Sequence, residues 1–95
     1  MYYCVAYDVG NARVRRRMVK WCKQAGLVRL QHSVFAGLAN AARLHELEEN
    51  ARAELAPSDR FCVIPLDRAA WQNLLLLGKQ PDKEALSRTA LARYF

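Results

Sequence analysis

The chain has 95 residues, 53% of them apolar, and a formal net charge of +6. That length suits one domain with a single core of modest stability. No stretch approaches roughly 18 consecutive apolar residues, so no membrane-spanning helix is expected. "MYYCVAYDV" also lacks the basic start and small-residue cleavage site of a secretory signal, which makes a cytoplasmic location the default expectation.

Residues 2–9 form a nearly continuous run of aromatic, apolar and β-branched side chains, the pattern of a central strand covered on both faces. Gly10-Asn11 interrupts the run, and Asn11 is placed to cap a helix over residues 12–25. In that helix Val14, Met18, Trp21, Cys22 and Ala25 share one side, and Gly26 closes it. "LVRLQHSVFAGLA" (27–39) reads as two short strands around a reversal at Gln31-His32-Ser33, or as one bent strand. Asn40 opens a second helix with a narrow stripe of Leu44, Leu47, Ala51 and Leu55, ended by Pro57-Ser58-Asp59. "RFCVIPL" (60–66) is a further strand, and Pro65 puts its end at an edge or a bulge. "WQNLLLLG" (71–78) suits either a helical turn or a strand stopped by Gly78. Residues 1–78 are thus the predicted domain and 79–95 a polar C-terminal tail.

The order β-α-β-β-α-β with one extra apolar segment predicts an α+β, ferredoxin-like fold: an antiparallel sheet with both helices on one face and an additional C-terminal strand. The other sheet face then needs cover, and a two-fold dimer using Tyr3, Tyr7 and Phe35 would supply it. Cys4, Cys22 and Cys62 lie far apart, and neither they nor His32 and His45 show ligand spacing. Buried, reduced thiols are expected, and no zinc site.

The charge is one-sided. Residues 1–43 hold Arg13, Arg15, Arg16, Arg17, Lys20, Lys23, Arg29 and Arg43 against Asp8 alone, whereas the rest of the chain is nearly balanced. On a helical wheel Arg13, Arg16, Arg17, Lys20 and Lys23 fall within an arc of about 120° opposite the apolar stripe, with Arg15 on its flank. Like charges three and four apart each cost a few tenths of a kcal/mol, and cations in a first turn oppose the helix dipole. A polyanion lying across this face explains the crowding better than solvation does, and nucleic-acid backbone is the expected polyanion. Few Asn or Gln side chains share the face to read bases, so little sequence preference is expected.

Asp8 ends the first predicted strand. Either it accepts hydrogen bonds from the following turn, or it binds Mg²⁺, which takes one or two protein carboxylates and fills its shell with water and phosphate. Two copies facing each other in a dimer would make a better metal site than one. Asp59 and Asp67 stand beside Arg60 and Arg68, where ion pairing is expected.

"YDV" (7–9), "VRRRM" (14–18), "GLVRLQHSVFAG" (26–37), "DRFCVIPL" (59–66) and "LLLLG" (74–78) together resemble the small CRISPR-associated protein two family of spacer acquisition. The resemblance implies a ferredoxin-like homodimer whose last strand crosses onto the partner's sheet. It also implies a role bridging the CRISPR integrase while holding duplex DNA. Members of the family are described as Mg²⁺-dependent nucleases on single-stranded RNA or double-stranded DNA. Carried over by position, Tyr7 and Asp8 match the strand-end pair, with Asp8 the metal position, and Arg15, Arg17, Arg29 and Phe35 fall on positions tied to activity. Tyr7 and Phe35 suit core or dimer packing equally well. Gly10, Asn11 and Ala12 stand where the family often has acids, which leaves one carboxylate per chain. A toxin-type ribonuclease of the same fold, outside any CRISPR system, is the alternative function.

Overall fold

β1 (Tyr2–Asp8) lies at the centre of a four-stranded antiparallel sheet, between β3 (Val34–Leu38) and β4 (Arg60–Leu66), with β2 (Val28–Gln31) outside β3. This arrangement comes from a computed structural model that describes residues 1–79 and the strand backbone at Arg93–Tyr94. α1 (Ala12–Gln24) connects β1 to β2, and α2 (Ala41–Glu54) connects β3 to β4. The sheet order β2-β3-β1-β4 is the ferredoxin-like one that the element order predicts. "LVRLQHSVFAGLA" resolves as two strands joined by the two-residue turn His32-Ser33, with Ser33 in the left-handed region at φ 65°.

Local chemistry sets the helix ends. The Asn11 side chain accepts from the backbone N–H of Arg13 (2.9 Å) and Val14 (3.1 Å), and Asn40 does the same for Ala42 (3.0 Å) and Arg43 (3.1 Å). Each cap satisfies two of the N–H groups that a helix start leaves without partners. Gly26 leaves α1 at φ 93°, where a Cβ would come within 3.3 Å of the Leu38 carbonyl oxygen. Only glycine makes that exit without strain.

The strand alternation sorts side chains between two layers. Val5, Tyr7 and Phe35 face the helices and join Val14, Met18, Cys22, Leu44, Leu47 and Ala51 in the main core, with Tyr3, Phe61 and Val63 packed against it. Tyr3, Tyr7 and Phe35 therefore do not cover the open sheet face; they sit on its opposite side. The open face carries Tyr2, Cys4 and Ala36, partly closed by Trp71 from the short helix α3 (Arg68–Gln72). Trp71 is fully buried and stacks on Tyr2, with ring centroids 4.8 Å apart and planes 12° from parallel. "WQNLLLLG" is thus both things at once, the end of α3 followed by β5 (Leu75–Leu76).

β5 does not join the four-stranded sheet; it pairs in parallel with β6 (Arg93–Tyr94). Apart from Lys79 and β6, the predicted tail lies outside the described residues. β4 is an edge strand, which is where Pro65 is tolerated. Of the three thiols only Cys22 is fully buried, and burial pushes it up to about 12; Cys4 is half-buried and Cys62 is exposed, against expectation, because it sits on the open face. Among the described residues no helix is long and apolar enough to cross a membrane.

Candidate nucleic-acid interface

The six cations of α1 are all exposed, and they divide into two groups by what they touch. Arg15 turns back and donates Nη1 to the carbonyl oxygens of Val9 (2.9 Å) and Gly10 (2.8 Å). It clamps the β1–α1 loop, using carbonyls that the end of the strand leaves without ladder partners. Arg17 forms an ion pair with Glu54 of α2 at 2.8 Å. Among the described residues no ion pair or side-chain hydrogen bond engages Arg13, Arg16, Lys20 or Lys23. These four are the free basic row, narrower than the wheel suggested because Arg17 is occupied.

Between α1 and the β2–β3 hairpin lies an open cleft of about 400 Å³, lined by Tyr7, Arg15, Arg16, Arg29, His32 and Ser33 among others. The Arg29 guanidinium lies over the Phe35 ring, 5.7 Å from its centroid, and its Nη2 is 3.3 Å from His32 Nδ1. Phe35 is fully buried and supports Arg29 from below. The Tyr7 phenol is pushed up by burial foremost, with the Cys22 thiol adding; Arg29 and a hydrogen bond with Ser33 pull it partly back. It therefore stays protonated at neutral pH and can donate a hydrogen bond, but is no base.

Asp8 is not part of that cleft. It alternates with Tyr7, so it belongs to the open face, directly across from Arg60 in the β1–β4 register. A depression of about 360 Å³ there also takes in Ala6, Tyr7, Phe61 and Cys62. The predicted catalytic set is thereby divided: Tyr7, Arg15 and Arg29 line the cleft, Asp8 stands outside it in a depression that Tyr7 also borders, and Arg17 is tied to α2.

The donor set at Asp8 in one chain does not fit Mg²⁺. It offers one carboxylate, its cross-strand neighbour is a cation, and the adjacent Val9 and Gly10 carbonyls are held by Arg15. Among the described residues no group of three or more His, Cys, Asp or Glu could hold a metal ion.

Sequence reasoning missed three positions. Among the described residues Asp59 forms no ion pair: its carboxylate accepts from Gly10 N–H (3.1 Å) and Ala56 N–H (2.9 Å), fastening the loop after Asp8 to the start of β4. Those two bonds, Ala56 first, hold its carboxyl below the ordinary value. Asp67 likewise caps α3 through Ala70 N–H (2.7 Å) instead of pairing with Arg68. The third is His32, whose place three residues from Arg29 on a tight hairpin is the signal that the two meet.

Fold and surface define a small ferredoxin-like protein with an unneutralised cationic helix on its helical face. The family model described as CRISPR associated protein Cas2 matches residues 1–74. The chain belongs to that family. Among its relatives, a CRISPR-associated endoribonuclease Cas2 of Methanospirillum hungatei is 32% identical over 83% of this chain and 84% of its own length. One from Pyrobaculum aerophilum is 34% identical over 85% of this chain and 90% of its own length. A crystal structure described as cas2 superposes with a TM-score of 0.63 at 31% identity, covering 85% of this chain and 90% of that one.

Proposed function

We propose that the protein is a nucleic-acid-binding homodimer of CRISPR spacer acquisition, which bridges the integrase and holds duplex DNA by its phosphate backbone. The observation that carries this is the free row Arg13, Arg16, Lys20 and Lys23, exposed on one helix with no acid interleaved. Phosphate contacts of this kind fix register without reading sequence. Family membership favours this role over a toxin-type ribonuclease outside a CRISPR system.

A second copy fits the open sheet face. Ile64 and Leu38 are 47% and 60% exposed, Leu75 and Leu77 stand out beside β5, and Trp71 covers only part of the surface. In the dimer the fifth strand would pass to the partner's β4 edge. Measuring the oligomer's mass with and without a short duplex, at two salt concentrations, tests both halves. A dimer that takes up duplex at low salt and releases it at high salt is expected; a monomer, or a dimer indifferent to DNA, contradicts the proposal.

A Mg²⁺-dependent nuclease acting on RNA or DNA is the second function, favoured by the relatives' description as endoribonucleases and by the exposure of Asp8. It requires Asp8 from two copies, because one chain supplies too few oxygens. Asp8→Asn should abolish Mg²⁺-dependent cleavage and leave duplex binding intact. Wild-type protein that cleaves neither RNA nor DNA with any divalent metal is a scaffold alone.

A further inference from the structure

The cleft between α1 and the β2–β3 hairpin meets the outer basic row only at Arg16, which lines it beside Arg15 and Arg29. We propose that it binds the phosphate monoester of a single nucleotide, as a strand-terminal phosphate or a free nucleoside monophosphate. This rests on the nucleic-acid reading above and adds to it an end-binding subsite.

Arg15, Arg16 and Arg29 converge there with His32, and no carboxylate lines the space. Two of the guanidiniums are fixed before any ligand arrives: Arg15 by the Val9 and Gly10 carbonyls, Arg29 by the Phe35 ring and His32. Each keeps donors to spare, since a guanidinium carries five N–H groups in a rigid fork that matches phosphate oxygens. Groups held in place lose little freedom on binding, which favours affinity. The unpartnered Arg16 reaches the same space from the next residue of α1.

Shape separates this site from the outer row. Arg13, Lys20 and Lys23 stand on a convex helix surface, suited to phosphodiesters of a passing backbone. The cleft is concave, and its volume of about 400 Å³ falls within the usual span for small-molecule sites, about 300–1,000 Å³. A duplex does not enter such a space, whereas one nucleotide does. A monoester carries a charge of about −1.5 to −2 near neutrality, which suits three arginines better than the single charge of a diester. Ala12, Val19 and the Tyr7 ring form an apolar wall for the sugar or base, and the Tyr7 hydroxyl adds a donor beside Ser33.

The test uses the full chain and two paired probes: a single-stranded oligonucleotide with a 5′-phosphate or a 5′-hydroxyl, and adenosine 5′-monophosphate or adenosine. The phosphorylated form of at least one pair should bind about tenfold more tightly. A preference shown only by the oligonucleotide identifies a strand end as the source, and one shown equally by the mononucleotide identifies a free nucleotide. Arg29→Gln should bring the ratio close to one. His32→Ala, on an exposed turn where folding is safe, should reduce it several-fold. Equal binding of phosphorylated and unphosphorylated probes in both pairs overturns the proposal, as does a preference that survives both substitutions. A hydroxyl-ended duplex, measured alongside, reports the backbone grip separately: its failure to bind counts against the proposed function and leaves the phosphate ratio as the readout for the cleft.

Discussion

α1 and α2 lie side by side on the same sheet face and are alike on their inner sides but opposite on their outer ones. Val14, Met18 and Cys22 bury the first helix, and Leu44, Leu47 and Ala51 the second. Outside, α2 mixes its signs: Arg43 pairs with Glu46 and Arg52 with Glu49, each three residues apart. α1 has only cations, and its one intramolecular ion pair among the described residues is the reach from Arg17 to Glu54. On the proposed function, two helices with the same packing task and the same solvent differ in charge because only α1 meets a polyanion. Stability alone would have mixed both.

The largest expected effect tests what the helices share. Met18→Ala and Leu47→Ala should each cost about 2–5 kcal/mol in denaturant unfolding, with similar losses for the two. A much smaller loss in α1 would mean that it is held mainly by its ligand.

Next come the outer faces, where the two helices should part. Arg13→Ala, Arg16→Ala and Lys20→Ala combined should flatten the salt dependence of duplex binding by about one unit per residue. Stability should hold or rise, because removing each like-charge neighbour relieves a few tenths of a kcal/mol. Neutralising Glu46, Glu48 and Glu49 on α2 should leave binding undiminished. Equal losses from both helices would erase the contrast.

A smaller change follows from the one tie between them. Both partners of the Arg17–Glu54 pair are well exposed, at 44% and 36%, so Glu54→Gln should cost at most about 1 kcal/mol. It also releases Arg17 to the basic row, and duplex affinity should rise a few-fold in a titration at low salt. A fall would show that Arg17 works only when held.

Asp59→Asn, which leaves one of two backbone N–H groups without its acceptor, shows its signature in acid. Hydrogen bonds from Ala56 and Gly10 hold the Asp59 carboxyl below its ordinary value of 3.8. A depressed folded-state value contributes stability that is present above 3.8 and is lost as pH falls through the lowered one. The variant should therefore lose less stability than wild type on acidification through that window. Parallel acid-unfolding curves would place the bond in both states.

How far the sequence carries can be judged residue by residue. Asn11 and Asn40 announced the helix starts, and Pro65 marked an edge strand, because caps and ring constraints act within a few residues. Residues 2–9 were equally legible as a central strand, though as one covered on both faces; which of the sets Tyr2, Cys4, Ala6, Asp8 and Tyr3, Val5, Tyr7 meets the helices depends on the whole topology. That is why Tyr3, Tyr7 and Phe35 were expected on the wrong side. Arg17 meets a partner 37 residues away and Asp59 one 49 residues away. Nothing local signals such contacts, so the free basic row and the loop that follows Asp8 came into focus only in three dimensions.

One titration tests the outer face of α1 most directly: wild-type binding of a hydroxyl-ended DNA duplex between roughly 50 and 200 mM salt. With four free cations on α1 among the described residues, affinity should fall steeply along a straight log–log line, at about −0.9 per phosphate engaged. Binding that ignores salt, or no binding even in the most dilute buffer, would contradict the proposed function.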